Sequence, residues 1–230
     1  VTSGLPGQVL DQLGAAIVNG EYPPGAVLRT EELERAFAVS RTVAREALRV
    51  LEAMRLVTSR RRVGITVQPL AAWNLYDPLV IRWRLACEAR ADQLRSLSEL
   101  RSATEPVAAA LAARRATPEQ AGELTVLAVN LRATAKARDL DAFLVHDIAF
   151  HRLVLAASGN EMFTQLGDVV GEVLTGRTHY HLMPEEPQPA AVRLHIEVAE
   201  AIAAGAPDRA EAAMRAIVTQ AMEEMELGLP

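Results

Sequence analysis

Arg41, Arg45 and Arg49 recur at four-residue intervals, and Asp147 and His151 repeat that interval much farther along the chain. The two sets suggest different chemistries. On a helix turning about 100° per residue, with Arg41 at zero, Glu52 falls near ~20°, Arg45 near ~40°, Arg49 near ~80° and Thr42 near ~100°. Val50, Val43, Met54, Ala47 and Leu51 fall between about 180° and 280°. Such a helix packs by its apolar side and presents guanidiniums on the other, where three cations repel unless something anionic lies opposite. Arginine forks fit guanine O6/N7 and phosphate oxygens, so a groove of double-stranded DNA suits this face. Arg60, Arg61 and Arg62 add a second basic cluster downstream, suited to straddling a nucleic-acid backbone or entering a minor groove. The alternative for the helix by itself is solvated surface.

Asp147 and His151 lie about 40° apart on one helix face and so reach a single ion. His195 comes from a distant segment that an antiparallel helical bundle is able to bring alongside. One carboxylate and two imidazoles suit divalent Zn, Ni, Mn or Fe, and the single cysteine, Cys87, excludes a multi-thiolate site. The alternative is a hydrogen-bonded core pair without metal.

The elements that must position these residues follow from punctuation and period. Apolar residues at Leu5, Val9, Leu13 and Ile17 mark a first helix that stops at Gly20, and a turn at Tyr22–Gly25 leads to a short strand at Val27 and Leu28. Thr30 is expected to cap a second helix reaching about Phe37, and Ser40 a third reaching about Met54. Two β-prone runs, Val57–Ser59 and Ile65–Gln68, flank the loop holding Arg60–Arg62 and Gly64. This order is that of a winged helix-turn-helix over residues 1–70. Residues 71–92, with Pro69, Trp73, Pro78 and Trp83 in or near them, are expected as a linker and short helix. Beyond lie helical periods over roughly 93–116, 118–137, 139–158, 160–178, 188–204 and 207–226, so residues 93–230 are expected to form an all-α antiparallel bundle and the fold is mainly α. Ala108–Ala113 reads as a close helix-packing seam.

Composition agrees. The 230 residues are 50% hydrophobic but only 4% aromatic, and the net charge is −5. That average hides two unlike parts, +2 over residues 1–70 and −7 over the rest, with +5 concentrated in 41–62. A local basic face on an acidic body still attracts phosphates, because screening confines the interaction to about 8 Å. The longest apolar run, Val107–Ala113, is about a third of the ~20 residues of a membrane span, so no membrane partner is expected. The opening residues carry no Lys/Arg-led hydrophobic leader, and the expected compartment is cytoplasmic.

The run Gly25–Val57, with Val39-Ser-Arg-Thr42, Arg45-Glu-Ala-Leu48, Leu51 and the wing glycine Gly64, resembles the DNA-binding domain of GntR-family bacterial transcription regulators. Two departures stand out: Val43-Ala44 replaces the family's frequent Pro-Val, and Glu31 occupies a position where relatives carry a DNA-touching Arg. The resemblance implies DNA contacts from Arg41, Thr42, Arg45 and Gly64, and the cap, the arginine face and the basic loop add Ser40, Arg49, Arg61 and Arg62 as candidates. Downstream, Glu99–Arg101 through Glu105-Pro106, Ala112-Ala-Arg114, Asp147-x3-His151, Ala157-Ser-Gly-Asn160 and His195-x5-Ala201-Ile202 resemble the FadR-type (FCD) effector domain of the same family. The segment Trp73–Trp83 is similar to the branch that includes galactonate-type sugar-acid repressors.

That resemblance implies a homodimer on a palindromic operator, a small carboxylate effector and a metal held by Asp147, His151 and His195. Its usual fourth ligand, a His, is Ile217 here, which leaves water or effector to complete the ion, or no ion at all. Arg101 suits a bidentate carboxylate contact, against a surface ion pair with Glu105; Asn160 suits an effector hydroxyl, against a helix cap after Gly159. His146, His179 and His181 read as bystanders. The competing expectation is a metal-dependent helical-bundle enzyme acting on a small acid, although no nucleophile–base pair or phosphate loop accompanies these three residues in sequence.

Overall fold

The structure, a computed structural model, describes residues 4–60, 64–180 and 188–228, the side chains of Leu5 and 226–228 excepted. The chain divides into two compact units, Val1–Arg90 and Ala91–Pro230.

In the first unit, α1 (Leu5–Val18), β1 (Val27–Leu28), α2 (Thr30–Ala36), α3 (Arg41–Ala53), β2 (Val57–Arg60) and β3 (Gly64–Val67) follow in order, then α4 (Pro78–Leu85). The strands pair antiparallel in the order β1-β3-β2, with Val27 opposite Thr66 and Arg60 opposite Gly64. Leu13, Ile17, Leu33, Leu48, Leu51, Leu56 and Val67 form its core. Gly64 has φ +107°, a backbone conformation that side chains rarely adopt, and a Cβ there would sit 3.2 Å from Val27 Cγ1. Thr30 does not cap α2. Arg29 is extended (φ −108°, ψ 128°) and its carbonyl already receives Leu33 N–H at 3.2 Å, so β1 runs directly into a helix that starts one residue earlier.

Helix α4 belongs to this unit: Val80 and Trp83 complete its core. Gly14 on α1 is where the Trp83 ring rests, for a Cβ there would lie 2.3 Å from Trp83 Cη2. Gly14→Ala is therefore expected to destabilise the unit, because overpacking costs about 1–3 kcal/mol while helix propensity returns only about 1. A lower urea midpoint with unchanged slope would register this; an unaltered or raised midpoint would contradict the seating of Trp83.

The second unit is helical among its described residues: α5 (Arg90–Arg115, starting at the boundary), α6 (Pro118–Ala137), α7 (Leu140–Ala157), α8 (Glu161–Gln165), α9 (Gly167–His179), α10 (Pro189–Ala203) and α11 (Pro207–Gly228). A capping box, Thr117 with Gln120, starts α6, and Asp139 caps α7 through Ala142 N–H. The alanine seam of α5 is buried, with Ala108, Ala109 and Ala112 wholly inaccessible. The helix expected over 160–178 is broken into α8 and α9 at Leu166. Arg152 Nε donates to the Gly167 carbonyl at 3.2 Å, and a Cβ on Gly167 would press on Arg152 Cγ. No described helix is long and apolar enough to cross a membrane.

Candidate functional site

Helix α3 starts where Ser40 Oγ accepts Val43 N–H at 3.4 Å. Ala44, Ala47, Leu48 and Leu51 are its buried side, while Arg41, Thr42, Arg45 and Arg49 are exposed. Arg41 Nη2 lies 3.3 Å from Glu31 Oε1, and Arg49 Nη1 lies 3.9 Å from Glu46 Oε2. Both pairs stand in solvent, where such contacts contribute about 0–1 kcal/mol and give way to a stronger anion. Arg45 is exposed with no acidic partner among the described residues. Glu52, which shares this face, is engaged elsewhere: its Oε1 accepts Ser59 N–H at 2.7 Å and ties β2 to α3. Arg60 and Gly64 are exposed at the ends of the paired strands, and Arg61 and Arg62 lie outside the described residues.

The second constellation lies inside the bundle. Asp147 and His151 on α7 meet His195 on α10, and one ligating atom from each falls within 4.8 Å of the others. Asp147 Oδ1 is 3.5 Å from His151 Nε2 and 3.1 Å from His195 Nε2. These spacings bracket the ~3.4 Å edge of a tetrahedron with bonds near 2.1 Å. The other ring nitrogens decide the fit. His195 Nδ1 lies 2.7 Å from the Ala191 carbonyl, and His151 Nδ1 lies 2.5 Å from Glu105 Oε2. Both partners only accept, so each Nδ1 carries hydrogen and each Nε2 faces Asp147. Each Nε2 there requires either a further proton or a cation, which is how metal-ligating imidazoles are held by a carboxylate or backbone carbonyl behind them. The buried Asp/His/His group could thus hold a metal ion. Phe150, fully buried, packs edge-on against both rings, at 5.0 Å from His195 and 6.0 Å from His151.

Electrostatics bind the cluster together. Burial opposes charge on Glu105, yet Arg101 and His151 hold its carboxyl down to about 2. Burial likewise opposes charge on His151, but Glu105 and Asp147 push it up to about 9. Asp147 is held well below the ordinary carboxylate range by His151 and His195 despite its burial.

Arg101 does pair with Glu105, Nε to Oε1 at 2.5 Å, but the pair is not at the helix surface: the side chains are 3% and 1% exposed. An uncompensated charge at that depth would be costly, so the two must be retained together. Arg101 lines a small cavity of about 40 Å³ with Asp147, His151, His195 and Ile217. Asn160 is not brought there; its Oδ1 accepts Met162 N–H at 2.9 Å and caps α8. His146 and His179 also stand apart from the lining, and His181 lies outside the described residues. Sequence reasoning missed Arg177, Gln220 and Glu224, all on the wall, and the role of Glu105 behind His151. The four-residue step from Arg101 to Glu105 was a usable signal; Arg177 had none.

A winged helix-turn-helix with an open arginine face, joined in one chain to a helical bundle with a buried metal-competent cluster, defines a DNA-binding regulator with an accessory domain. Residues 5–67 match the model for bacterial regulatory proteins of the gntR family, and residues 96–220 match the FCD domain. The chain belongs to the GntR family of bacterial transcription regulators and carries an FCD domain. It is 31% identical over 221 residues to the galactonate operon transcriptional repressor of Escherichia coli K12, spanning 95% of this chain and 96% of that one. It is 29% identical over 208 residues to a probable D-xylose utilization operon transcriptional repressor of Paenarthrobacter nicotinovorans, covering 90% of this chain and 82% of the relative. The solved structure of Lar, a protein controlling the Listeria monocytogenes agr system, superposes with TM-score 0.62 over 99% of both chains at 18% identity, a likeness of fold. These relatives are regulators, so the protein is a transcription regulator and not the metal-dependent enzyme that the donor set also suggested.

Proposed function

We propose that the protein is a ligand-responsive repressor that binds a near-palindromic operator as a homodimer and senses a small carboxylate, of the sugar-acid kind, in its FCD domain. The observation that carries the sensing half is the convergence of Asp147, His151, His195 and Arg101 on one largely buried cavity. The similarity to the galactonate operon repressor supports the choice of acid.

In this reading Arg41, Thr42, Arg45 and Arg49 reach base edges and phosphates in the major groove, with Ser40 and Gly64 fixing the helix start and the wing. Arg61 and Arg62, next to Arg60 in the sequence, are further candidates for the DNA backbone. Asp147, His151 and His195 hold a divalent Zn, Ni, Mn or Fe ion, with Ile217 in place of a fourth protein donor. When bound, the ion supplies a Lewis-acid position for a carboxylate oxygen. Arg101, kept cationic by Glu105 although burial opposes it, faces the same space. Asn160, committed to its cap, has no part in binding the acid.

Effector binding changes transcription only if it prefers one arrangement of the reading heads. A 30-fold loss of operator affinity corresponds to about 2 kcal/mol of coupling. The test is fluorescence anisotropy of a labelled operator from the protein's own control region, titrated with zinc-loaded protein and then with D-galactonate, D-gluconate and L-lactate. Release by at least one acid is expected; retention under all of them, with operator bound, would remove the effector reading.

A further inference from the structure

Arg177, on α9, is a buried cation only half used. Its side chain is 5% exposed and its Nη2 lies 3.2 Å from Glu224 Oε2, while its Nε has no hydrogen-bond partner. Nε and Nη2 form one edge of the guanidinium, the edge on which a carboxylate docks through two parallel hydrogen bonds. Glu224 reaches one prong of that edge. Its other oxygen, Oε1, accepts Gln220 Nε2 at 2.9 Å, which holds the carboxylate in this one-pronged position. Arg177, Gln220 and Glu224 line the cavity that Arg101, Asp147 and His195 also line. An orphaned N–H on a buried cation is strongly disfavoured unless a ligand completes it.

Charge points the same way. Burial and the neighbouring Arg101 push Arg177 down to about 10, which leaves it cationic at neutral pH. Glu224 keeps 19% of its side chain exposed, against 5% for Arg177, so the acid has a path to solvent that the arginine lacks.

We infer that Arg177 is an anion-binding residue of the effector cavity and that Glu224 is an internal carboxylate which the effector's own carboxylate displaces from it. The inference rests on the carboxylate-sensing reading above and adds its switch. In the free protein Glu224 occupies part of the Nε/Nη2 edge. An incoming carboxylate takes the whole edge, and Glu224 turns toward solvent. Glu224, Gln220 and Ile217 all belong to α11, so the exchange acts on the helix that walls one side of the cavity. The ligand class is an anionic carboxylate; the neutral lactone of the same acid lacks the group that makes the exchange.

The two partners must then respond with opposite signs. Calorimetric titration of the zinc-loaded full chain with D-galactonate, D-gluconate and L-lactate compares wild type, Arg177→Gln, Glu224→Gln and the double variant. Arg177→Gln is expected to weaken binding of the best acid at least tenfold, as loss of a charge-assisted fork implies. Glu224→Gln is expected to tighten it by about threefold or more, because the competing carboxylate is gone. The double variant should match Arg177→Gln, and zinc content should be unchanged in all, since neither residue is a ligand. Wild-type affinity in Arg177→Gln, or weakening in Glu224→Gln, overturns the exchange. If wild type binds none of the acids, the carboxylate reading itself fails and takes this inference with it. Should Arg177→Gln not fold, the sign of the Glu224→Gln change decides alone.

Discussion

Arg45→Ala is expected to weaken operator binding at least tenfold while leaving binding of the acid in the FCD domain unchanged. Arg45 projects from the exposed side of α3 and, unlike Arg41 and Arg49, has no acidic neighbour to release before it meets a base or phosphate. A bidentate contact to a base contributes about 1–3 kcal/mol, and the homodimer proposed above would make it twice, so tenfold is the low end. The side chain is exposed and the helix retains its buried Ala44, Leu48 and Leu51, so the unit's melting temperature should stay put. Salt supplies a second reading of the same face. Six to ten phosphate contacts imply a fall of roughly 10³–10⁵ in affinity between 50 and 200 mM salt. Anisotropy titrations of variant and parent across that range check both statements. Equal operator affinity for the two proteins would remove Arg45 from the interface.

His195→Ala is expected to abolish stoichiometric metal retention. In the proposed metal site His195 is one of three donors, and its imidazole is oriented by the Ala191 carbonyl so that Nε2 faces Asp147. Weakening a residue that merely orients a ligand costs about 10–100-fold in metal affinity, so removing a donor from a three-residue set costs more than that. Glu105→Gln, made together with Arg101→Gln so that no buried cation is left unpaired, is the matched comparison at the lower level. It leaves all three donors and an acceptor behind His151 while removing the charge, and should cost about 10–100-fold. Metal analysis after dialysis, with chelator competition for affinity, separates the two levels. For wild type, metal at 100 times its dissociation constant should stabilise the fold by about 2.7 kcal/mol, a gain that His195→Ala should lose. Wild-type metal affinity in His195→Ala would show that this histidine is a core residue and nothing more.

The cationic ridge on α3 was legible because it is local. A helix fixes the angle between residues four apart, so Arg41, Arg45 and Arg49 share a face wherever the helix is placed, and Ser40 marks its start by capping chemistry alone. The same rule placed Asp147 beside His151. Local reasoning failed at helix boundaries and where a neighbour from elsewhere in the fold intervened. Thr30 lost the cap because β1 feeds straight into α2, and the helix expected over 160–178 is interrupted at Leu166, whose N–H bonds the Phe163 carbonyl three residues back at 3.0 Å. Glu31 opposite Arg41 was a visible departure, but only the approach of α2 to α3 made it an ion pair.

By itself, then, the order of residues determined the helical periods, an outward arginine face and a carboxylate–imidazole pair. Tertiary structure alone decided that Arg101 and Glu105 lie in the interior instead of on a surface, that Glu105 stands behind His151, and that Arg177 meets Glu224 across the cavity. The difference is physical. Periodicity sets which residues share a side of one helix, whereas burial and contact between helices depend on how whole apolar faces pack, and a charged pair reads the same in sequence whether water or another helix covers it.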